Sequence, residues 1–70
     1  MRLSTRNQLA GTVESVDTGA VMSTVKVRLA GGDLITASIT LEAAKELGLA
    51  PGRDVTVLVK STEVMLGVDD

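Results

Sequence analysis

From Val21 to Leu29 the chain alternates. Val21, Ser23, Val25, Val27 and Leu29 fall on one side of an extended backbone, and Met22, Thr24, Lys26 and Arg28 fall on the other. Successive side chains of a strand point to opposite faces, so this period of two describes a strand with one face buried and the other in water, a pattern no helix satisfies. Gly31-Gly32-Asp33 breaks the run, and Leu34 to Ile39 resumes it in the opposite direction with Ile35, Ala37 and Ile39 in phase. Upstream, Leu9, Gly11 and Val13 share a face until the phase slips at Glu14 and Ser15 to place Val16, which predicts a bulge or strong bend. Asp17-Thr18-Gly19 supplies the turn into the alternating strand, with Gly19 able to adopt positive φ. The result is a three-stranded meander.

Beyond Ile39 the pattern changes. Thr40 is a good N-cap, Leu41 to Leu47 contains the helix formers Glu42, Ala43, Ala44, Lys45 and Glu46, and Gly48 suits the position just past a helix end. Leu41, Ala44 and Leu47 recur every third residue, so one narrow helix face can cover an open end of the sheet. Pro51-Gly52 turns into a fourth strand in which Val55, Val57 and Val59 alternate with Thr56, Leu58 and Lys60. After Ser61-Thr62 a fifth strand is expected from Glu63 to about Val68. The expected fold is all-β with one short helix, in the order β-β-β-α-β-β. That is the order of the OB fold, a small, partly open Greek-key barrel, here as one domain over residues 1–70.

Seventy residues are expected to bury only about 60% of the surface they expose when unfolded, which leaves a marginal core. Small domains make up the shortfall with disulfides, a structural metal or self-association. Cys and His are both absent, which removes disulfides and thiolate or imidazole metal ligands. Phe, Trp and Tyr are absent too, so the 44% of hydrophobic residues are aliphatic and individually bury less than aromatic side chains do. A core shared between identical subunits is expected. The same absences bear on function. Without His or Cys no ready base or nucleophile exists, and a dyad of Lys60 with Ser4 or Ser61 would need a deprotonated lysine in a dry pocket, so an enzyme is not expected. Net charge is −2, from seven Lys and Arg against nine Asp and Glu, and no aromatic platform is available for bases to stack on, which argues against nucleic acid as a partner. Lys26 and Arg28 read as a solvated outer row. No run of residues is long and apolar enough for a membrane span or a signal peptide, so a cytoplasmic location is the expectation.

Charge is nevertheless local. Positions 1–13 carry Arg2 and Arg6 and no acid, and positions 55–62 carry Lys60 and no acid. Three donor-rich clusters stand out: Ser4-Thr5-Arg6-Asn7-Gln8, the pair Ser38 and Thr40, and Lys60-Ser61-Thr62. Hydroxyls, amides, guanidinium and ammonium can together surround a tetrahedral dianion without any metal-ligating residue. Taken singly, the clusters also read as a polar tail, an N-cap and a turn between strands.

Ser4-Thr5-Arg6-Asn7-Gln8-Leu9, followed by Gly11, Val13, Val16, Gly19, Ala20 and Val21, resembles the opening of the molbindins, the Mop-type molybdenum-pterin-binding or TOBE-like domains. Gly31-Gly32, Ile39-Thr40, Ala44-Lys45-Glu46-Leu47-Gly48-Leu49, Gly52 and Val59-Lys60-Ser61-Thr62-Glu63-Val64-Met65 continue the likeness across nearly the whole chain. Thr5 departs from it, Ala being more usual there. The resemblance implies a homohexamer built as a trimer of dimers that holds molybdate or tungstate at subunit interfaces for cytoplasmic storage or homeostasis. It implies an oxyanion shell of Ser4, Arg6 and Asn7 from one subunit, Lys60 and Ser61 from a neighbour, and Thr40. It also implies a second, weaker site near Gly19, Ala20 and Ser38. An OB-type nucleic-acid or protein-interaction module and a free-standing regulatory TOBE-like domain are the alternative readings.

Overall fold

The computed structural model describes residues 1–69, and its organising element is β1 (Asn7–Thr18), a strand long enough to serve two partners. Its C-terminal half pairs antiparallel with β2 (Met22–Leu29), from Gly11 opposite Leu29 to Thr18 opposite Ser23. Its N-terminal half pairs antiparallel with β4 (Asp54–Val59), from Asn7 opposite Val59 to Thr12 opposite Asp54. β3 (Leu34–Thr40) lies on the far side of β2, giving the sheet order β3-β2-β1-β4. The register of β1 against β2 slips between Val13 and Ser15, so the bulge expected at Glu14 is present. An extra residue on one strand sharpens its bend and twist, and here it curls the sheet into a half-barrel. On the outer face Glu14 takes both oxygens to Arg28 Nη2, at 2.6 and 2.7 Å.

Inside the curl, Val13, Val25 and Val27 are buried, with Val16, Ala37, Ile39, Leu49, Val55 and Val57 packed against them. These are the apolar phases of the alternating runs, so the pleat places them as the period of two requires. Gly11 belongs to the same face. A Cβ there would lie 2.6 Å from Val27 Cγ1 and 3.0 Å from the Arg28 carbonyl oxygen, so the close approach of β1 and β2 needs a residue without one. Gly19, by contrast, is not at positive φ. Its N–H donates to the Met22 carbonyl at 2.8 Å and closes the first hairpin by that route.

Helix α1 (Leu41–Glu46) starts where Thr40 accepts a hydrogen bond from the Ala43 N–H at 3.0 Å. It ends at Gly48, which has φ 63°, with Leu49 N–H donating to Ala44 O and Gly48 N–H to Lys45 O, the paired closure that satisfies the last carbonyls. Ala44 is buried as expected, whereas Leu47 is exposed, and Leu49 beyond the glycine packs on the core in its place.

The expected fifth strand does not form. Ser61–Glu63 is a short 3-10 turn (η1), closed by Glu63 N–H to Lys60 O at 2.9 Å, and the chain from Val64 onward pairs with nothing regular among the described residues. A two-residue hairpin would need positive φ at its centre, for which Gly, Asn or Asp is the usual supplier. Ser61 and Thr62 offer none, so the chain makes a helical turn and leaves the sheet. The segment Val64–Val68 is apolar and uncharged, but it lacks a neighbouring strand within its own subunit.

Candidate functional site

The last rung of the β1/β4 ladder, Asn7 opposite Val59, fixes the site. An antiparallel ladder brings the chain entering one strand beside the chain leaving the other. The residues just before Asn7 therefore meet those just after Val59. Ser4, Thr5, Arg6, Leu58, Lys60, Ser61 and Thr62 line one shallow depression of about 480 Å³. Asn7 is half-buried beside it and its Nδ2 donates to the Val59 carbonyl at 3.1 Å, tying the two strands together at this end. Asn7 is thus a fastener of the site, its amide nitrogen engaged in holding Lys60 near Arg6. Gln8 Nε2 donates to Thr5 O at 2.7 Å and fixes the approach of the N-terminal segment.

The lining holds two cations, four hydroxyls and no carboxylate, within a chain whose net charge is −2. This is the composition of an anion receptor. Ser4, Arg6, Lys60 and Ser61 come together within a single subunit, so a neighbour is not needed to bring the two motifs into proximity. All four are exposed, and an anion here would keep much of its hydration and be screened by salt. Thr5 and Thr62, from the same two donor-rich clusters, add their hydroxyls to the lining.

Thr40 lies elsewhere. It pairs with Met22 at the end of the sheet where β1 finishes at Thr18, whereas Ser4 and Arg6 stand where β1 begins. Roughly 36 Å of extended strand separates the two ends, at about 3.3 Å per residue. Thr40 shares a second depression, of about 450 Å³, with Ala20, Val21, Leu41, Glu42 and Lys45. Two of the three residues expected of a weaker site are poorly matched to it. The Gly19 amide is already spent on Met22 O, and Ser38 is an exposed position paired with Thr24 on β3 that does not line the depression. Lys45, a helix former by its sequence, also brings a cation to this depression, and Glu42 brings an opposing carboxylate.

The basic row on β2 is committed to the sheet itself. Lys26 Nζ donates to Thr36 Oγ1 at 2.8 Å, and Arg28 is held by Glu14 and by the Gly32 carbonyl at 2.7 Å. No group of three or more His, Cys, Asp or Glu residues is placed to hold a metal ion among the described residues. No helix among them is long and apolar enough to cross a membrane.

Residues 3–66 match the TOBE domain family. The chain is 39% identical over 69 residues to a probable molybdenum-pterin-binding protein of Haemophilus influenzae, covering 99% of this chain and all of that one. Its fold superposes on MopII from Clostridium pasteurianum with a TM-score of 0.91 and 42% identity, over 96% of this chain and all of the other. It also superposes on the cytoplasmic molybdate-binding protein ModG in a molybdate-bound form, with a TM-score of 0.93 and 48% identity, over 99% of this chain and 49% of ModG.

Proposed function

The chain belongs to the TOBE-domain family, with Mop-type molybdenum-pterin-binding proteins as its relatives, and we propose on that footing that it binds molybdate reversibly. The observation that carries this reading is the convergence of Ser4, Arg6, Lys60 and Ser61 on one acid-free depression. Arg6 and Lys60 neutralise the dianion, and the hydroxyls of Ser4 and Ser61 fix its orientation. No bond to molybdenum is made or broken and no redox change occurs, so the role is binding and not catalysis. Tungstate, with the same charge and shape, is bound by the same donors.

An exposed depression holds a hydrated dianion weakly, because two cations in high dielectric gain little over water. Covering it with a second copy of the chain strengthens each charge-assisted bond. We therefore assign the functional form to a homo-oligomer, a homohexamer arranged as a trimer of dimers, with the oxyanion at subunit interfaces. Thr40, at the opposite end of β1, joins the shell from a neighbouring subunit in such an assembly. Ala20, with Lys45 beside it, marks a second and weaker oxyanion site. Storage of molybdate in the cytoplasm and buffering of its free concentration is the role that fits reversible binding without catalysis.

Lys60→Ala tests this directly. A charge-assisted hydrogen bond contributes about 1.5 to 3 kcal/mol, so molybdate affinity measured by calorimetry should fall roughly 10- to 150-fold. The circular dichroism spectrum should be unchanged, since Lys60 is exposed and outside β4. Retention of full affinity by a folded Lys60→Ala protein would remove this site from consideration.

A further inference from the structure

We propose that Leu58 sets the selectivity of the oxyanion depression, favouring a large tetrahedral dianion such as molybdate over a smaller one of equal charge such as sulfate. This role rests on the anion-binding reading above and falls to a side chain with no charge and no hydrogen-bonding group.

Leu58 is out of character for its position. Val55 and Val57 turn to the core, so Asp54, Thr56 and Leu58 turn outward along β4, and Lys60 continues that row just past the strand. The other three members of the row are polar. Leu58 stays 45% exposed, with Gln8 opposite it on β1, so it adds little to the core. Its place is in the wall of the depression, where it is the one apolar side chain among the described lining residues. A single exposed leucine needs no explanation in itself. Set among Ser4, Arg6, Lys60 and Ser61, it changes what the site can hold.

Those donors cannot make the distinction themselves. Molybdate and sulfate carry the same charge and each presents four oxygens, so guanidinium, ammonium and hydroxyl groups attract both. The two anions differ in size, and at fixed charge the smaller ion is the more strongly hydrated. An aliphatic wall gives no hydrogen bond in return for the water it displaces. An anion oxygen turned toward Leu58 therefore loses hydration without compensation, and the loss is greater for the smaller dianion. The larger dianion fills more of the space between donors and wall and gains dispersion contact with the leucine methyls. Selectivity then comes from leaving the wrong ligand's oxygens unsatisfied, at little cost to the right one.

L58N tests this, since asparagine is close to leucine in size and supplies an amide that can donate to an anion oxygen. L58I keeps the wall apolar and suits a strand. Molybdate affinity is measured by calorimetry, and sulfate affinity by displacement of molybdate, at one ionic strength and one protein concentration. Sulfate should compete poorly in the wild-type chain and in L58I. In L58N the ratio of sulfate to molybdate dissociation constants should fall about three- to tenfold, a modest share of what desolvating an ion costs. L58A opens the wall to water, should shift the ratio in the same direction, and keeps the test open if L58N does not fold. A loosened assembly would weaken both anions together, so the ratio separates selectivity from a structural effect of the substitution. An unchanged ratio in the folded variants, or a loss of selectivity in L58I as large as in L58N, overturns the role of Leu58; if Lys60→Ala still weakens molybdate, the binding reading stands. Full molybdate affinity in Lys60→Ala overturns both.

Discussion

At the scale of single residues, Ser4, Arg6, Lys60 and Ser61 share one depression because the Asn7–Val59 rung sets the chain entering β1 beside the chain leaving β4. Ser4, Arg6, Lys60 and Ser61 were legible as donor-rich clusters, because hydroxyl and cationic side chains without nearby acids stand out in an acidic chain. Their meeting was not legible, since strand pairing between residues 52 positions apart, as in the Asn7–Val59 bond, leaves no local signal. Gly11 shows the opposite case. It read as one apolar position in an alternating run, yet its lack of a Cβ is what lets β1 cross Val27 closely. Val27 is buried and β-branched, so it has little freedom to yield. Gly11→Ala should therefore cost about 1 to 3 kcal/mol through overpacking. In a thermal melt this corresponds to a drop of roughly 4 to 8 °C for each kcal/mol. An unchanged melting temperature would show that β1 and β2 can separate at no cost.

At the scale of elements, β1 through β4 and α1 follow from local chemistry. The bulge at Glu14 was readable because a one-residue slip reverses every subsequent side chain, and only an inserted residue returns Val16 to the core side. The helix was readable from its ends, Thr40 and Gly48. Thr40→Ala removes the oxygen that accepts from Ala43 N–H and should destabilise the chain by about 1 kcal/mol, while Thr40→Ser should retain most of that. Urea midpoints at a fixed protein concentration would show the difference; equal midpoints for both variants would mean the cap contributes nothing. The fifth strand fails to form because an apolar, uncharged run reports which residues suit a strand and says nothing about whether a partner edge is within reach. Leu47 failed for a related reason. Spacing by three put it on the covering face, but a six-residue helix ends before that turn is complete, and Leu49 arrives from beyond the αL glycine.

At the scale of the whole molecule, a core of Val13, Val25 and Val27 with half-buried neighbours is small, and the exposed apolar surface is large. If the oxyanion depression is completed at an interface, anion binding and assembly are linked, and each strengthens the other by the same factor. Molybdate affinity should then fall as the protein is diluted through its dissociation range, and molybdate should raise the assembled fraction at a given dilution. Equilibrium dialysis across a dilution series checks the first, and native mass spectrometry the second. An affinity independent of protein concentration throughout that range would mean one subunit holds the anion by itself.

The sequence by itself determined β1 through β4, the helix, the bulge and the donor inventory, because hydropathy period, capping and turn chemistry act over a few neighbouring residues. Only the tertiary structure decided which donors share a depression, that Thr40 stands at the far end of β1 from Arg6, and that Val64–Val68 leaves the sheet. Those outcomes depend on which backbone edges pair and where each chain segment exits the ladder, and such long-range closures have no period for a sequence to display.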